Sequence, residues 1–401
     1  MTGSARDVVI TGVGIVTSQG VGAEAHAALL KAERAPEIRI DTERFAPYPV
    51  HPLPPIDWSA QIPKRGDQRQ MENWQRLGVF AAGLALDDAG LKTDLDACGS
   101  MDMIVAAGGG ERDIAVDSLI VDEALKRNDR EHLLNEKLTT ELRPTLFLAQ
   151  LSNLLAGNIS IVHKVTGSSR TFMGEEAAGI SAVETAHARI AAGQSTHCLV
   201  GGALNAERID LLLLIEAIGG CTAGAWHPLR GRTEADGGGM VLGSVGAFLV
   251  LESRAHAEAR GARIYATIAA IEGDRGGRDG AAFEERLTRL LAPAIAIEPM
   301  SAIVFSGASG LLEPTRRELD VLGRVLPAAP LRAYGDLFGH GIEAQFPLGL
   351  ALAALALGEK AVVPAFDGDA DRPAGAPAET AVVTTVGHAR GEGVAVLTRE
   401  A

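Results

Sequence analysis

The chain has 401 residues, with 37 basic and 51 acidic side chains and a formal net charge of −14. This excess of negative charge argues against nucleic acids and anionic membrane surfaces as partners, because both attract basic proteins. Hydrophobic residues make up 47% of the chain and aromatic residues only 4%. This composition predicts a large core of small side chains, enough for two ordinary domains or one duplicated one.

Strands and helices alternate along the first part of the sequence. A proline-rich stretch at 38–69 is predicted to be irregular, and so is a glycine-rich stretch at 219–239. The predicted strands are 8–11 and 103–107, and the predicted helices are 23–32, 73–89, 113–141, 147–156 and 210–218.

The second part of the sequence repeats this alternation. The predicted strands are 246–251, 264–271, 301–305, 380–385 and 393–397, and the predicted helices are 283–297, 314–325 and 341–357. Alternation of this kind indicates an α/β fold in layers. We therefore expect two βα-rich halves, residues 1–252 and 253–401, although no internal sequence repeat is visible.

The segment 171–202 (TFMGEEAAGISAVETAHARIAAGQSTHCLVGG) is the most informative part of the chain. It predicts a strand, a sharp turn, a helix rich in small residues and a second, buried strand. A helix N-terminus after a buried strand suits a nucleophile, because the helix dipole stabilises negative charge there. This chain places two carboxylates at that point, Glu175 and Glu176.

Other sequence features predict no cofactor and no metal. Gly12 and Gly14 follow a strand, but Thr17 stands where a dinucleotide-binding fingerprint has its third glycine. The ten histidines are scattered, without cysteine or carboxylate clusters at metal-ligand spacing. The three cysteines show no pairing pattern and the longest apolar run, 346–358, is too short to span a bilayer. We expect a soluble, reduced, cytoplasmic protein.

The segment 171–202 resembles the nucleophile region of β-ketoacyl-acyl carrier protein synthases, condensing enzymes of the thiolase fold. Further stretches resemble the same family and follow its order along nearly the whole chain: 8–20 (VVITGVGIVTSQG), 153–161 (NLLAGNISI), 241–252 (VLGSVGAFLVLE), 255–266 (AHAEARGARIYA) and 339–357 (GHGIEAQFPLGLALAALAL). The resemblance implies a thiolase fold, with duplicated βα halves giving a five-layered αβαβα architecture. The first half would be the former nucleophile half, and the second would be the former histidine half.

The family's catalytic positions can be carried over residue by residue. Counting back from Gly193 without a gap places the family's cysteine on Glu176. The family's first histidine falls on Gly307, in the stretch 305–310 (FSGASG).

The remaining positions follow in the same way. The family's lysine falls on Gly335, and its second histidine is kept as His340. The phenylalanine of its closing loop becomes His388. We therefore expect no catalytic residue at these degenerate positions.

The resemblance implies a role for such a chain. Type II polyketide systems pair an active ketosynthase with an inactive homologue, the chain length factor, and the strand near 167–173 would join the two subunits. We expect a non-catalytic chain length factor that heterodimerises with a cysteine-bearing ketosynthase and shapes the acyl tunnel. It would meet acyl carrier protein mainly through that partner, because both it and the carrier are acidic. Chain length factors of aromatic pathways usually carry glutamine where Glu176 stands, so a polyene or aryl polyene system is favoured.

Two alternative roles remain open. One is an active synthase with displaced residues, for which Cys221 is a poorly placed candidate nucleophile. Another is a decarboxylase, which would need the two histidines and is disfavoured by Gly307. Glu175 and Glu176 could be ordinary first-turn acids or could form a buried ion pair. We expect His340 to be a structural remnant and His388 to be a pocket or loop residue.

Overall fold

The computed structural model describes residues 4–234, 238–278, 280–296, 301–368 and 370–400. The strands are β1 (Val8–Thr17), β2 (Gly20–Val21), β3 (Val50–His51), β4 (Asp102–Ala106), β5 (Ser169–Phe172), β6 (His197–Leu204), β7 (Leu242–Gly243), β8 (Val245–Ser253), β9 (Ala266–Asp274), β10 (Ala302–Ser306), β11 (Leu331–Ala333), β12 (Thr380–Val386) and β13 (Glu392–Thr398). The helices of the first half are α1 (Gly22–Leu30), α2 (Arg65–Gln70), α3 (Asn73–Asp88), α4 (Leu95–Ser100), α5 (Ile114–Ala124), α6 (Arg130–Thr140), α7 (Pro144–Ala149), α8 (Leu154–His163), α9 (Glu175–Ala191) and α10 (Ile209–Glu216). Those that follow are α11 (Arg254–Ala259), α12 (Gly280–Leu290), α13 (Ala292–Ile295), α14 (Leu312–Val325), α15 (Gly335–Phe338) and α16 (Gln345–Gly358), with 3₁₀ turns at Trp58–Ala60, Leu229–Gly231 and Ile342–Ala344.

Apart from β2, which pairs with β1, the large sheet consists of two five-stranded halves with the same strand order. The first half runs β5-β4-β6-β8-β1 and the second runs β11-β10-β12-β13-β9. In both, the first two pairings are parallel and the last two are antiparallel. The halves meet where β1 pairs with β9, with Val8 opposite Ile268. This repetition supports the predicted duplication, while the boundary between residues 252 and 253, at the end of β8, stays a prediction.

Helices and half-sheets stack in five layers, as predicted. The middle layer contains α9 and α16, which pack between the two half-sheets in one continuous hydrophobic core. Every residue of α16 from Gln345 to Leu357 is buried, as expected for a helix that is apolar all round. The outer layers are α3 with α8 on the first half-sheet and α12 with α14 on the second.

Close packing of α3 against β1 explains why glycines stand at positions 12 and 14. They lie inside a continuous ten-residue strand that is longer than the predicted one. A side chain on Gly12 would come within 2.7 Å of Cβ of Ala89, and one on Gly14 within 2.5 Å of the backbone nitrogen of Ala85. Both glycines therefore let α3 approach the strand closely, which accounts for them without a dinucleotide.

Some predicted helices were wrong in their limits. The predicted helix 113–141 is two helices, α5 and α6, separated at a stretch that contains Asn128 and Asp129, which favour turns over helix. The predicted helix 147–156 spans the break between α7 and α8. The predicted helix 283–297 divides into α12 and α13, where Pro293 is the second residue of the new helix; residue 297 lies outside the described residues.

Among the helices of the described residues, none combines the length and the apolar character needed to cross a membrane.

Candidate functional site

A strained turn between β5 and α9 decides which of the two adjacent glutamates faces inward. Gly174 has φ of 123° and Glu175 has φ of 59°, in the left-handed region that non-glycine residues rarely adopt. The chain therefore reverses sharply over two residues. The side chain of Glu175 remains 42% exposed, whereas Glu176 is completely buried.

The Glu176 carboxylate accepts hydrogen bonds from two histidines. His340 donates from Nε2 to Oε1 at 2.6 Å. His388 donates from Nδ1 to the same oxygen at 2.9 Å and lies 3.1 Å from Oε2. The backbone N–H of His388 also donates to Oε1, at 3.1 Å. Three of the predicted site residues therefore meet in one buried cluster.

Backbone contacts fix both histidines in place. His340 follows α15, and its N–H donates to the carbonyl of Val241 at 2.8 Å. Its own carbonyl accepts from the N–H of Gly243 at 3.1 Å. His388 lies in the connection from β12 to β13, which we call the 387–391 loop. Arg278 donates to the carbonyl of Gly387 at 2.6 Å and so holds the first residue of that loop.

Electrostatics favour an ionised Glu176. Burial alone would raise the pKa of this carboxyl, but hydrogen bonds from His340 and His388 and the positive charge of their rings outweigh burial and lower the pKa. Burial acts to lower the pKa of His388, yet the hydrogen bond to Glu176 and the charges of nearby carboxylates raise it. Glu176 is therefore held as an anion.

Glu175, Glu176 and His388 each offer one atom of the kind that binds metal ions, and these three atoms lie within 4.8 Å of one another. The Glu176 oxygens and Nδ1 of His388 already bond to each other, and Nε2 of His388 lies 3.7 Å from Oε1 of Glu175. These contacts explain the grouping as an ion pair.

Gly307 and Gly335 differ in the space around them. A Cβ on Gly307, directly after β10, would lie 2.7 Å from Oγ1 of Thr385 and 2.8 Å from the carbonyl of Thr384, and nearer still to the hydroxyl of Tyr334. That hydroxyl is fixed, because it donates to the carbonyl of Gln345 at 2.9 Å. At Gly335 the nearest atom would be Cδ1 of Leu229, at 3.1 Å. The space that a side chain at position 307 would need is thus occupied by the hydroxyl of Tyr334, whereas the space beside Gly335 is less crowded.

Two buried carboxyls near these positions were not predicted from the sequence. Glu318 accepts hydrogen bonds from Ser306 at 2.9 Å and from Thr384 at 2.6 Å, and burial raises its pKa to about 7. Burial also raises the pKa of Glu343 to about 7, helped by the charges of Glu176 and Glu175. Glu343 could have been suspected, since it precedes the longest apolar run. Glu318 lies in a charged stretch of α14 that gives no sign of burial.

All three cysteines are buried. Burial raises the pKa of Cys98 and of Cys198, and it raises the pKa of Cys221 to about 12. The Cys221 thiol lies 3.5 Å from the carbonyl of Leu212, to which it donates. These thiols stay protonated near neutral pH and are poor nucleophiles.

Residues 5–257 match the family described as "Beta-ketoacyl synthase, N-terminal domain". The chain belongs to the β-ketoacyl synthase family. It is 26% identical over 375 residues to a putative polyketide β-ketoacyl synthase 1 of Streptomyces halstedii, covering 90% of this chain and 87% of that protein. It is 29% identical over 283 residues to a 3-oxoacyl-[acyl-carrier-protein] synthase 2 of Rhizobium meliloti (strain 1021), covering 66% of this chain and 63% of that protein.

Among solved structures, the chain is similar to one described as the ishigamide ketosynthase/chain length factor. The TM-score is 0.77 at 24% sequence identity, over 99% of this chain and 100% of that chain. This likeness agrees with the repeated strand order and the five layers. The predicted thiolase fold is confirmed.

Proposed function

We propose that this chain is a non-catalytic chain length factor: a ketosynthase-like subunit that pairs with a cysteine-bearing ketosynthase and shapes the tunnel for its growing acyl chain. The observation that carries the proposal is the buried Glu176 carboxylate, which accepts three N–H donors from His340 and His388. The proposal is strengthened by the β-ketoacyl synthase relatives named for polyketide formation.

A carboxylate held in this way is unsuited to acyl transfer. Attack on a thioester would give a reactive anhydride in place of a stable acyl-enzyme. The hydrogen bonds that lower the pKa of Glu176 also stabilise its resting anion, which reduces its nucleophilicity. The same donors are then not free to stabilise the developing charge of a substrate oxygen.

Decarboxylation without condensation is the second candidate, and the geometry around Gly307 argues against it. Stabilising the enolate would take two histidines, and only His340 has a side chain at the corresponding positions. The hydroxyl of Tyr334 lies where a Gly307 side chain would begin. Loss of one member of a cooperative catalytic set costs on the order of 10³-fold or more, so a site without the nucleophile and one histidine is expected to be inactive.

A free sheet edge supports association with a partner. Within the described residues β5 pairs only with β4, so its other side offers unpaired N–H and C=O groups. Met173, directly after β5, is 65% exposed, and Ile161 on α8 is 57% exposed. An open edge beside exposed apolar side chains is typical of a surface that another protein covers.

The net charge of the chain affects how well an acyl carrier protein could dock on it. A chain with a net charge of −14 is a poor docking surface for an acidic carrier, so we assign carrier docking mainly to the partner. We favour a polyene system over an aromatic one because of the glutamate at position 176, where chain length factors of aromatic pathways usually carry glutamine.

Co-expression with the cysteine-bearing ketosynthase of the same gene neighbourhood tests the proposal. We expect a one-to-one complex by size-exclusion chromatography and elongated products by mass spectrometry. Replacing the partner's cysteine by alanine should abolish these products. Glu176→Gln in this chain should preserve them, provided that size-exclusion chromatography shows the same one-to-one complex.

The isolated chain serves as the control. Supplied with malonyl-loaded carrier protein, it should release no carbon dioxide and form no elongated product. Release of carbon dioxide would favour the decarboxylase instead. A partner that made the same chain lengths without this protein would exclude a length-setting role.

A further inference from the structure

Among the described residues, His388 makes the hydrogen bonds that attach the 387–391 loop to Glu176. Both the backbone N–H and the Nδ1 of His388 donate to the Glu176 carboxylate, whereas Ala389 and Arg390 at the tip are exposed. The ends of the loop are tied to each other, because the N–H of Gly387 donates to the carbonyl of Gly391 at 2.8 Å. The tip can therefore move while its ends stay in place.

We propose that His388 and Glu176 form a pH-dependent clamp, in which the charged ring of His388 tightens the closure of the 387–391 loop over the Glu176 site in mildly acidic and neutral solution, and the neutral ring holds the loop tip less tightly in alkaline solution. The clamp is independent of the chain-length role, because it rests on contacts within this chain alone.

The groups that face His388 are mostly carboxylates. Glu175 and Glu176 face it from α9, and Glu343 acts on it from the turn Ile342–Ala344. His340 contacts the same Glu176 oxygen from beyond α15. An excess of carboxylates around one buried imidazole favours the charged ring and a tight ion pair.

Two arginines of the described residues lie behind the loop. Arg278 donates to Gly387 and forms a salt bridge of 2.7 Å with the buried Glu392, which begins β13. Arg286 approaches Glu392 from α12 at 3.3 Å. Arginine does not titrate in neutral or mildly alkaline solution, so this second attachment persists when His388 loses its proton.

The direction of the pH effect follows from the pKa of His388. Folding raises this pKa above its ordinary value of 6.5. The stabilisation that the ring charge adds is therefore complete below about pH 6.5 and is lost as the pH rises through the raised pKa. Because the pKa of Glu176 is lowered, its carboxylate stays ionised throughout. Glu343, with its pKa raised to about 7, ionises in the same range and its charge favours the protonated ring, so the weakening of the clamp comes from His388.

Hydrogen exchange of the loop amides, measured by mass spectrometry on the whole chain, tests the clamp. After correction for the intrinsic rate, protection of the His388 amide should fall by up to about tenfold per pH unit between about pH 6.5 and the raised pKa of His388, and it should level off above that pKa. In Glu176→Gln, protection should be low and nearly independent of pH. Glu175→Gln is the matched control: it removes a partly exposed carboxylate that does not hold the loop, so the fall in protection should remain, with its midpoint moved to slightly lower pH.

Two results would overturn the proposal. One is protection in the wild type that stays constant from about pH 6 to about pH 9. The other is a Glu176→Gln variant that keeps the wild-type pH profile. If Glu176→Gln folds poorly, His388→Gln replaces it: this variant retains the backbone donor, and it should show weak protection without pH dependence. A wild-type pH profile in His388→Gln would equally reject the clamp.

Discussion

A buried carboxylate such as Glu176 is costly unless donors replace the water that it loses. Three N–H groups of His340 and His388 do so here. The neighbouring Glu175 is a poorer partner, since it lies 3.7 Å from Nε2 of His388 and is partly exposed. The cluster is thus a buried carboxylate held by imidazole and backbone donors.

Glu176→Gln is expected to destabilise the fold by about 2–4 kcal/mol, because removing one charge of a buried pair leaves the other uncompensated. Urea unfolding at neutral pH measures this difference. Glu175→Gln, one residue earlier, should change the free energy of unfolding by no more than about 0.5 kcal/mol. Equal effects of the two substitutions would mean that the buried pair carries no special stability.

Gly307 illustrates a different kind of loss, because neighbouring atoms have closed over the position. Gly307→Ala should cost about 1–3 kcal/mol, since Cβ would meet the fixed hydroxyl of Tyr334 and the backbone of Thr384. Gly335→Ala is the matched control, where only the end of the Leu229 side chain must give way. Its cost should stay below about 1 kcal/mol. Thermal unfolding of both variants measures these costs. A Gly307→Ala variant as stable as the wild type would show that the space beside Gly307 can accept a side chain.

At the scale of elements, Glu318 ties α14 to two strands of the second half-sheet. It accepts hydrogen bonds from Ser306 at the end of β10 and from Thr384 in β12. Burial raises its pKa from 4.5 to about 7. The protonated carboxyl therefore stabilises the fold fully below pH 4.5, and that stabilisation is lost as the pH rises through about 7.

Replacing this carboxyl by its neutral isostere should flatten the pH dependence. Between about pH 5 and about pH 8, the stability of Glu318→Gln relative to the wild type should improve by on the order of 2 kcal/mol. Denaturant unfolding of the variant and the wild type at both pH values measures how the difference in their free energies of unfolding changes with pH. Asp320→Asn, an exposed position on the same helix, should leave the wild-type pH dependence unchanged. Parallel curves for Glu318→Gln and the wild type would contradict a titrating Glu318.

The sequence predicted these elements better than it predicted their contacts. The helix predicted at 73–89 and the strand predicted at 103–107 agree with α3 and β4 within one residue, because their apolar patterns are long and regular. The break between α5 and α6 was missed, since it depends on two turn-forming residues within an otherwise helical pattern. The resemblance placed Glu176, His340 and His388 in one site. Their hydrogen bonds span 164 and 212 positions of the chain, and no local pattern encodes such pairs.

The whole molecule has one central core to which both halves contribute. The middle layer takes α9 from the first half and α16 from the second, and each of them packs against strands of the opposite half. The hydrophobic cluster around these helices contains Ile10 and Leu251 from the first half, and Val383 and Leu397 from the second. The repeated strand order therefore describes the architecture without making either half self-sufficient.

A fragment of residues 1–252 should therefore fail to form a native structure by itself. Without α16, the inner face of its half-sheet and one side of α9 would be exposed to water, and the lost burial would not be replaced. We expect a fragment without a near-ultraviolet circular dichroism signal and without a cooperative urea transition. The full chain should unfold in a single transition, with equal calorimetric and van't Hoff enthalpies. Co-expression of the fragment with residues 253–401 is the control, and it should restore the cooperative transition because the shared core can then form. A fragment that unfolded cooperatively alone would show that the first half is an independent domain, and the central core would then be an interface between two domains.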